Sequence, residues 1–227
     1  MRDGFTLVIE GATAMASVAL LAGSEVVAER TVGARDAAAP GGGGAELLMP
    51  AVADCMNEAG AKASAIGRVV CGAGPGSFTG LRVAASIGKG IAVGRGVKMY
   101  AVSSLLLTVT GSVSPLAPGD YTSVLSAMRG EWFAADVQLR DGLTPTVGTA
   151  RRVTAEELRA SSERGGAGRL IGPGQEIEAF PHARGVALLL DGSALREVDV
   201  ETWEPDYGRL AEAQVKWEAA HGRSLSS

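Results

Sequence analysis

Cysteine and histidine are scarce in this sequence, and their scarcity excludes several kinds of site. Cys55 and Cys71 are the only cysteines among 227 residues and form no C-x-x-C pair, which argues against a disulfide framework and against a zinc site. His182 and His221 are the only histidines, and their separation leaves no helix-spaced pair of metal ligands. We therefore expect that this chain alone binds no metal and that it resides in the reducing cytoplasm.

Aromatic residues, long apolar runs and net positive charge are scarce as well. Aromatics make up 4% of the chain against 46% hydrophobic residues, so the core must consist of aliphatic and small side chains. No apolar run reaches the roughly 18–20 residues that a membrane span requires, and Asp3, Glu10 and Glu25 flank the only stretch that resembles a signal peptide. The formal charge of −4 argues against direct binding of this chain to a nucleic-acid backbone.

The first half of the sequence contains a regular succession of strand and helix patterns. Their order, β-β-β-α-β-α-β-α, is the plan of a ribonuclease-H-like lobe, which is one half of the actin/hexokinase-like (ASKHA) architecture. We predict strands at 5–10, 13–23, 25–32, 66–72 and 97–103, and helices at 46–59, 78–93 and 103–111, with a flexible glycine-rich loop at 37–44.

The second half repeats this order more weakly. Three strands are predicted within 120–153, then a helix opened by Thr154, strands at 169–172 and 186–191, and a closing helix at 209–222. We therefore predict an α/β protein of two ribonuclease-H-like lobes, 1–105 and 106–227. The first carries 9 Lys or Arg and 8 Asp or Glu, the second 12 and 17, so the near-neutral first lobe is the one whose surface we expect to be covered.

A glycine-rich turn follows the fourth predicted strand, in "VVCGAGPGSFTGLRVAASIGKGIA". It fits neither the G-x-x-x-x-G-K-[ST] phosphate loop nor the G-x-G-x-x-G dinucleotide turn, and it contains no G-x-S-x-G nucleophile elbow. Ser77 is instead a candidate N-cap, with Phe78 as the first helical residue. Arg82 lies in or just beyond the first turn, where the helix dipole disfavours a cation unless an anion or a partner's carboxylate compensates it.

One stripe of the predicted helix 78–93 is almost bare of side chains. Gly80, Ala84, Gly88 and Ala92 recur every four residues, and glycine inside a helix costs about 1 kcal/mol relative to alanine. Such a stripe indicates a closely packed neighbour, which can belong to this chain's own fold or to a second protein. A second short apolar helix at 46–59 would complete half of an intermolecular four-helix bundle.

The glycine turn and the residues after it resemble the TsaB/YeaZ family. Its hallmarks are an AGPGSFTGLR segment and a KGLA-like segment, here read as "AGPGSFTGLR" and "KGIA", and "ELLMP", "SAMRGEWFAADV" and "EPDYGRLAEAQVKW" are similar too. The resemblance implies a non-catalytic subunit that binds a catalytic TsaD-type paralogue and helps it make the threonylcarbamoyl modification of tRNA adenosine 37. It further implies that a TsaE-type ATPase joins the complex and that this chain interacts with tRNA only through that complex.

The resemblance also assigns candidate site residues. Helices of the first lobe would contact the paralogue, or a second copy of this chain when the paralogue is absent, through Leu47, Leu48, Val52, Met56, Phe78, Gly80, Arg82, Ala84, Ile87, Gly88 and Ile91. ATP or ADP and a metal are expected only in the full complex. Contacts of this chain with a nucleotide or anion would fall at Glu10, Thr13, Gly76, Ser77 and Thr79.

Two departures separate this sequence from an active enzyme of the superfamily. Glu10 stands where the family usually has aspartate, and the extra methylene displaces a carboxylate that would position metal and nucleotide. The paired histidines that hold a metal in the catalytic paralogue are also missing. The alternatives are an ASKHA-type ATPase or phosphotransferase, for which Asp120 and 171–176 would supply the second acidic loop and the glycine pair, and a peptidase.

Overall fold

The structure is a computed structural model that describes residues 4–33, 43–128, 130–163 and 168–208. The predicted closing helix at 209–222, His221 and most of the glycine-rich loop at 37–44 lie outside these residues. Within the described residues no helix is long and apolar enough to cross a membrane.

The first half forms the elements that its sequence predicts, with shifts of a few residues at most. They are β1 (Phe5–Glu10), β2 (Ala16–Ala22), β3 (Glu25–Val32), α1 (Leu48–Glu58), β4 (Ile66–Gly72), α2 (Phe78–Arg95), β5 (Lys98–Val102) and α3 (Ser104–Thr110). The strands lie side by side in the order β5-β4-β1-β2-β3. β4 and β5 run parallel to β1, while β2 is antiparallel to β1 and β3. This is the ribonuclease-H-like arrangement that the element order predicts.

The second half contains β6 (Gly119–Met128), β7 (Glu131–Leu139), β8 (Thr146–Val147), β9 (Arg151–Thr154), α4 (Ala155–Glu163), β10 (Arg169–Gly172) and β11 (Ile177–Glu178). They form a second mixed sheet in the order β11-β10-β6-β7-β8, with β9 also paired to β7. This order repeats that of the first sheet. Thr154 opens α4 as predicted, because its Oγ1 accepts the Glu157 N–H at 3.1 Å while Glu157 Oε2 accepts the Thr154 N–H at 2.7 Å.

The end of the described chain corrects two predictions. Residues 186–191 were expected to be a strand, but residues 183–188 form a 3-10 helix, and the next strand is β12 (Arg196–Val198). β12 pairs with β5 and so belongs to the first sheet, and Trp203 is buried in the core of that sheet. The chain therefore returns to the first lobe after completing the second sheet, so the boundary at residue 105 does not separate two continuous halves.

Both faces of the first sheet are buried, because the alternation of strand side chains feeds two hydrophobic clusters. Leu7 and Ile9 of β1 point to the face covered by α1 and α2. Val8 points to the opposite face, which packs on α3, on the 3-10 helix and on residues of the second sheet. The carboxyl ends of β1, β4 and β5 meet at one edge, and the glycine turn lies there.

Candidate functional site

The glycine turn links β4 to α2 and is held by the first lobe's own backbone. Ser77 is the N-cap of α2, as predicted, because its Oγ accepts the Gly80 N–H at 3.3 Å. The Ser77 N–H in turn donates to the carbonyl oxygen of Ala12 at 2.7 Å. A Cβ on Gly76 would overlap the Ala12 carbonyl, and one on Gly80 would overlap the Gly11 carbonyl. The glycines therefore let the β1–β2 turn touch the start of α2.

Glu10 is fully buried behind this turn, at the end of β1. Its Oε2 accepts the Ser104 hydroxyl at 2.8 Å, and its Oε1 accepts the Ala12 N–H. Ser104 Oγ also accepts the Gly74 N–H at 3.1 Å, so the carboxyl group connects three loops at the sheet edge. Loss of hydration on burial raises the pKa of Glu10 to about 7, although these hydrogen bonds oppose the shift.

Most polar side chains of the turn already have hydrogen-bond partners within this chain. Both oxygens of Glu10 already have partners within the chain, and Thr13 Oγ1 donates to the Met15 carbonyl at 2.8 Å. Ser77 and Thr79 are exposed, but the Ser77 hydroxyl oxygen already accepts the Gly80 N–H as the N-cap of α2. Among the described residues no three His, Cys, Asp or Glu side chains converge as metal ligands.

The second loop set that a phosphotransferase would need is also misplaced. Asp120 lies at the start of β6, whereas the matching acid of the first lobe, Glu10, lies at the end of β1. Asp120 is exposed and pairs with Arg140 at 2.6 Å. Gly172 ends β10, so "IGPGQE" (171–176) leaves a strand and enters a turn rather than opening a helix. The proposed alternative therefore lacks both of its second-lobe components.

The small-residue stripe of α2 faces the first sheet and not a partner. Gly80, Ala84, Gly88 and Ala92 are all buried, and a Cβ on Gly88 would overlap Cys71 Sγ and approach Met99 Cε to 3.4 Å. The neighbours of this stripe are thus Gly11 in the turn after β1, which lies against Gly80 and Ala84, and the surface of β4 and β5, which lies against Gly88. This corrects the assignment of Gly80, Ala84 and Gly88 to a partner interface.

The same correction applies to most of the α1 candidates. Leu48, Val52 and Met56 are buried in the core between α1 and the sheet, at 0%, 4% and 8% exposure. They form the apolar face that the sequence pattern predicts, but the lobe itself covers that face. Leu47 differs, since it precedes α1 and is 42% exposed.

An exposed apolar face remains on the outer side of α1 and α2. It combines Leu47 with Met49 (53% exposed), Phe78 (40%) and Val93 (69%), with Ile87 and Ile91 half-buried beside them. Arg82 and Gly90 are exposed on α2 as well. Sequence reasoning missed Met49, Gly90 and Val93, although the spacing of Arg82, Ser86 and Gly90 opposite the small-residue stripe marks the outer side of α2. We call this surface the outer helix face.

Comparison with known proteins agrees with this fold. "YeaZ from Pseudomonas aeruginosa" superposes with a TM-score of 0.70 and 22% sequence identity, covering 90% of this chain and 99% of that one. The fold and the site thus define a YeaZ-like α/β protein with two mixed sheets and an acidic turn closed by its own backbone.

Sequence comparison identifies the family. Residues 44–181 match the family described as "TsaD: tRNA N6-adenosine threonylcarbamoyltransferase". A curated "tRNA threonylcarbamoyladenosine biosynthesis protein TsaB" from Bacillus subtilis (strain 168) is 28% identical over 193 residues, 74% of this chain and 81% of the relative. The protein of the same description from Escherichia coli (strain K12) is 30% identical over 93 residues, 41% and 40% of the two chains. This chain belongs to that family, in its TsaB/YeaZ group.

Proposed function

We propose that this chain is a non-catalytic subunit in the biosynthesis of tRNA threonylcarbamoyladenosine and that it binds and activates a TsaD-type catalytic paralogue. The observation that carries the proposal is the exposed outer helix face on a lobe whose acidic turn is closed. The names of the curated relatives supply the pathway. A TsaE-type ATPase and, indirectly, tRNA would join through the assembled complex, and any ATP, ADP or metal would be held there.

The closed turn supports the non-catalytic part of the proposal. Phosphoryl-transfer enzymes need a carboxylate and backbone N–H groups free to meet a metal and phosphates. Here the Glu10 carboxyl accepts two hydrogen bonds from its own lobe, and the start of α2 packs on the Gly11 carbonyl. A purified chain that hydrolysed ATP at an ordinary enzyme rate, about 1–10³ s⁻¹, would contradict this part of the proposal.

The outer helix face supports the partner-binding part. Leu47, Met49, Phe78 and Val93 each expose 40% or more of a large apolar side chain. Large exposed apolar side chains are typical of interaction surfaces, and each Å² that a partner removes from water contributes about 25 cal/mol. In isolation, a second copy of this chain would cover the same face, which is our proposal for a homodimer.

Gly90→Arg tests the face without disturbing the core. Apart from the adjacent residues and the backbone of α2 itself, no described atom lies within 4 Å of a Cβ built on Gly90, so the lobe tolerates the new side chain while an opposing helix does not. We expect the Kd for the TsaD-type paralogue to rise at least about tenfold, and threonylcarbamoyladenosine in tRNA to fall when the variant replaces the native chain. Gly90→Ala is the matched control, and we expect it to bind normally. Unchanged binding by Gly90→Arg would remove the outer side of α2 from the interface.

A further inference from the structure

An arginine and two aromatic rings meet at the start of α2. The rings of Phe78 and Tyr207 lie 4.7 Å apart between centroids, tilted by 50°. The Arg82 guanidinium carbon lies 5.2 Å from the centroid of the Phe78 ring. Phe78 is 40% exposed, Arg82 is exposed and Tyr207 is partly so. We call these three residues the arginine platform.

The end of the described chain fixes the platform in place. Trp203 is buried in the core of the first sheet, and the Asp206 N–H donates to the Ala73 carbonyl at 2.8 Å. Gly208 fits against the Phe133 ring and Pro75, where a Cβ would overlap the ring. Tyr207 therefore stands between two anchored positions. A contact surface ordered before binding loses little conformational entropy when a partner docks.

The acids near the platform are already engaged. Glu204 Oε1 pairs with Lys89 Nζ at 3.2 Å, and its Oε2 accepts the Tyr207 hydroxyl at 3.1 Å. Asp206 Oδ1 accepts the Gly208 N–H at 2.7 Å. Across the residues that the structure describes, Arg82 has no ion pair. It also lies in the early part of α2, where the helix dipole disfavours a positive charge.

We propose that the arginine platform receives an aspartate or glutamate side chain of the TsaD-type paralogue, and that apolar side chains next to this carboxylate cover Phe78 and Tyr207. The inference rests on the proposed function and names the chemistry of the contact. Arg82 binds the carboxylate with two N–H donors, and the aromatic rings exclude water around that pair. Arginine and tyrosine in one ordered cluster are typical of residues that dominate interface affinity.

Charge reversal at Arg82 tests the proposal directly. We expect Arg82→Glu to raise the Kd for the purified paralogue about 100-fold, Arg82→Lys to raise it less, and both to flatten its dependence on salt, because an ion pair is lost or weakened. Lys62→Glu is the matched control: Lys62 is exposed on the same lobe but precedes β4, at the opposite end of the sheet from the platform. We expect this control to keep native affinity.

Other occupants of the platform give different results. Equal weakening by Arg82→Glu and Lys62→Glu would mean general charge attraction and would overturn the proposal. The proposal would also be overturned if Arg82→Glu destabilised the isolated chain and either Glu212→Gln or Glu218→Gln destabilised it equally. That result would assign the contact to this chain's own C-terminal segment. An effect limited to self-association would assign it to a second copy. If the unaltered chain does not bind the paralogue at all, the proposed function itself fails, whereas native binding by Arg82→Glu rejects only the platform.

Discussion

We expect Gly88→Arg to prevent the first lobe from folding, whereas Gly90→Arg, two residues further along the same helix, should leave it folded. Gly88 lies against Cys71, Val69 and Met99, so a side chain there would have to displace β4 or leave the core. Insertion of extra methylenes into a packed core costs about 1–3 kcal/mol, and an unpaired buried charge adds several more. The sum approaches the whole stability of a typical domain, about 5–15 kcal/mol.

Alanine at the same two glycines isolates the packing effect from charge and bulk. Gly88→Ala places one Cβ against Cys71 Sγ, and we expect it to lower the free energy of unfolding by about 1–3 kcal/mol. Gly90→Ala adds a Cβ in open space and removes the helix cost of glycine, so it should raise the same quantity by roughly 0.5–1 kcal/mol. Urea unfolding followed by circular dichroism measures both. A rise in the free energy of unfolding for both variants would show that the stripe does not pack on the sheet.

The second large effect is a dependence of stability on pH that comes from Glu10. Burial raises the pKa of Glu10 to about 7 in the folded chain from its ordinary value of 4.5, so between these pH values the folded chain holds a proton that the unfolded chain has released. Its contribution to stability is therefore full below pH 4.5, falls as the pH rises to about 7, and is constant above that. With about 1.4 kcal/mol per pKa unit, the loss is on the order of 3 kcal/mol.

Glu10→Gln reveals this contribution. A glutamine side chain still provides an oxygen that accepts the Ala12 N–H and a polar group next to the Ser104 hydroxyl, but it cannot ionise. We compare the free energy of unfolding of the variant with that of the native chain at each pH. Between pH 4.5 and pH 7 the variant should gain about 3 kcal/mol of stability relative to the native chain. Urea titrations at several pH values give this difference, with Asp54→Asn as an exposed-acid control. A difference that does not change with pH would mean that the turn opens to water.

His182 also makes the stability of the native chain depend on pH, so the Glu10 effect has to be measured as a difference between the native chain and Glu10→Gln. It is buried, its Nδ1 accepts the Arg184 N–H at 3.1 Å, and burial lowers its pKa to about 4 from 6.5. Between pH 4 and 6.5 the unfolded chain thus binds the extra proton, so stability from His182 rises with pH and is lost as the pH falls. This opposes the Glu10 effect in the native chain, but it cancels in the difference between native chain and variant.

The local elements of the first half were predictable because their signals are short-range. The Ser77 cap and the start of α2 at Phe78 follow from turn chemistry within a few residues, and the strands of the first sheet follow from apolar runs bounded by glycine. The same kind of reasoning was wrong for 186–191. An apolar run of five residues, here 186–190, suits a strand or a buried helix equally, and contacts between the two sheets select the 3-10 helix.

The sequence by itself determined the order of the first lobe's elements, the position of the glycine turn and the presence of a stripe on α2 that needs a close neighbour. Only the tertiary structure decided that this neighbour is the sheet, since periodicity shows which residues share a face but not what covers it. It alone also brought Tyr207 to Phe78 and returned β12 to the first sheet. Those contacts join residues about a hundred positions apart, and no pattern within a short window contains them.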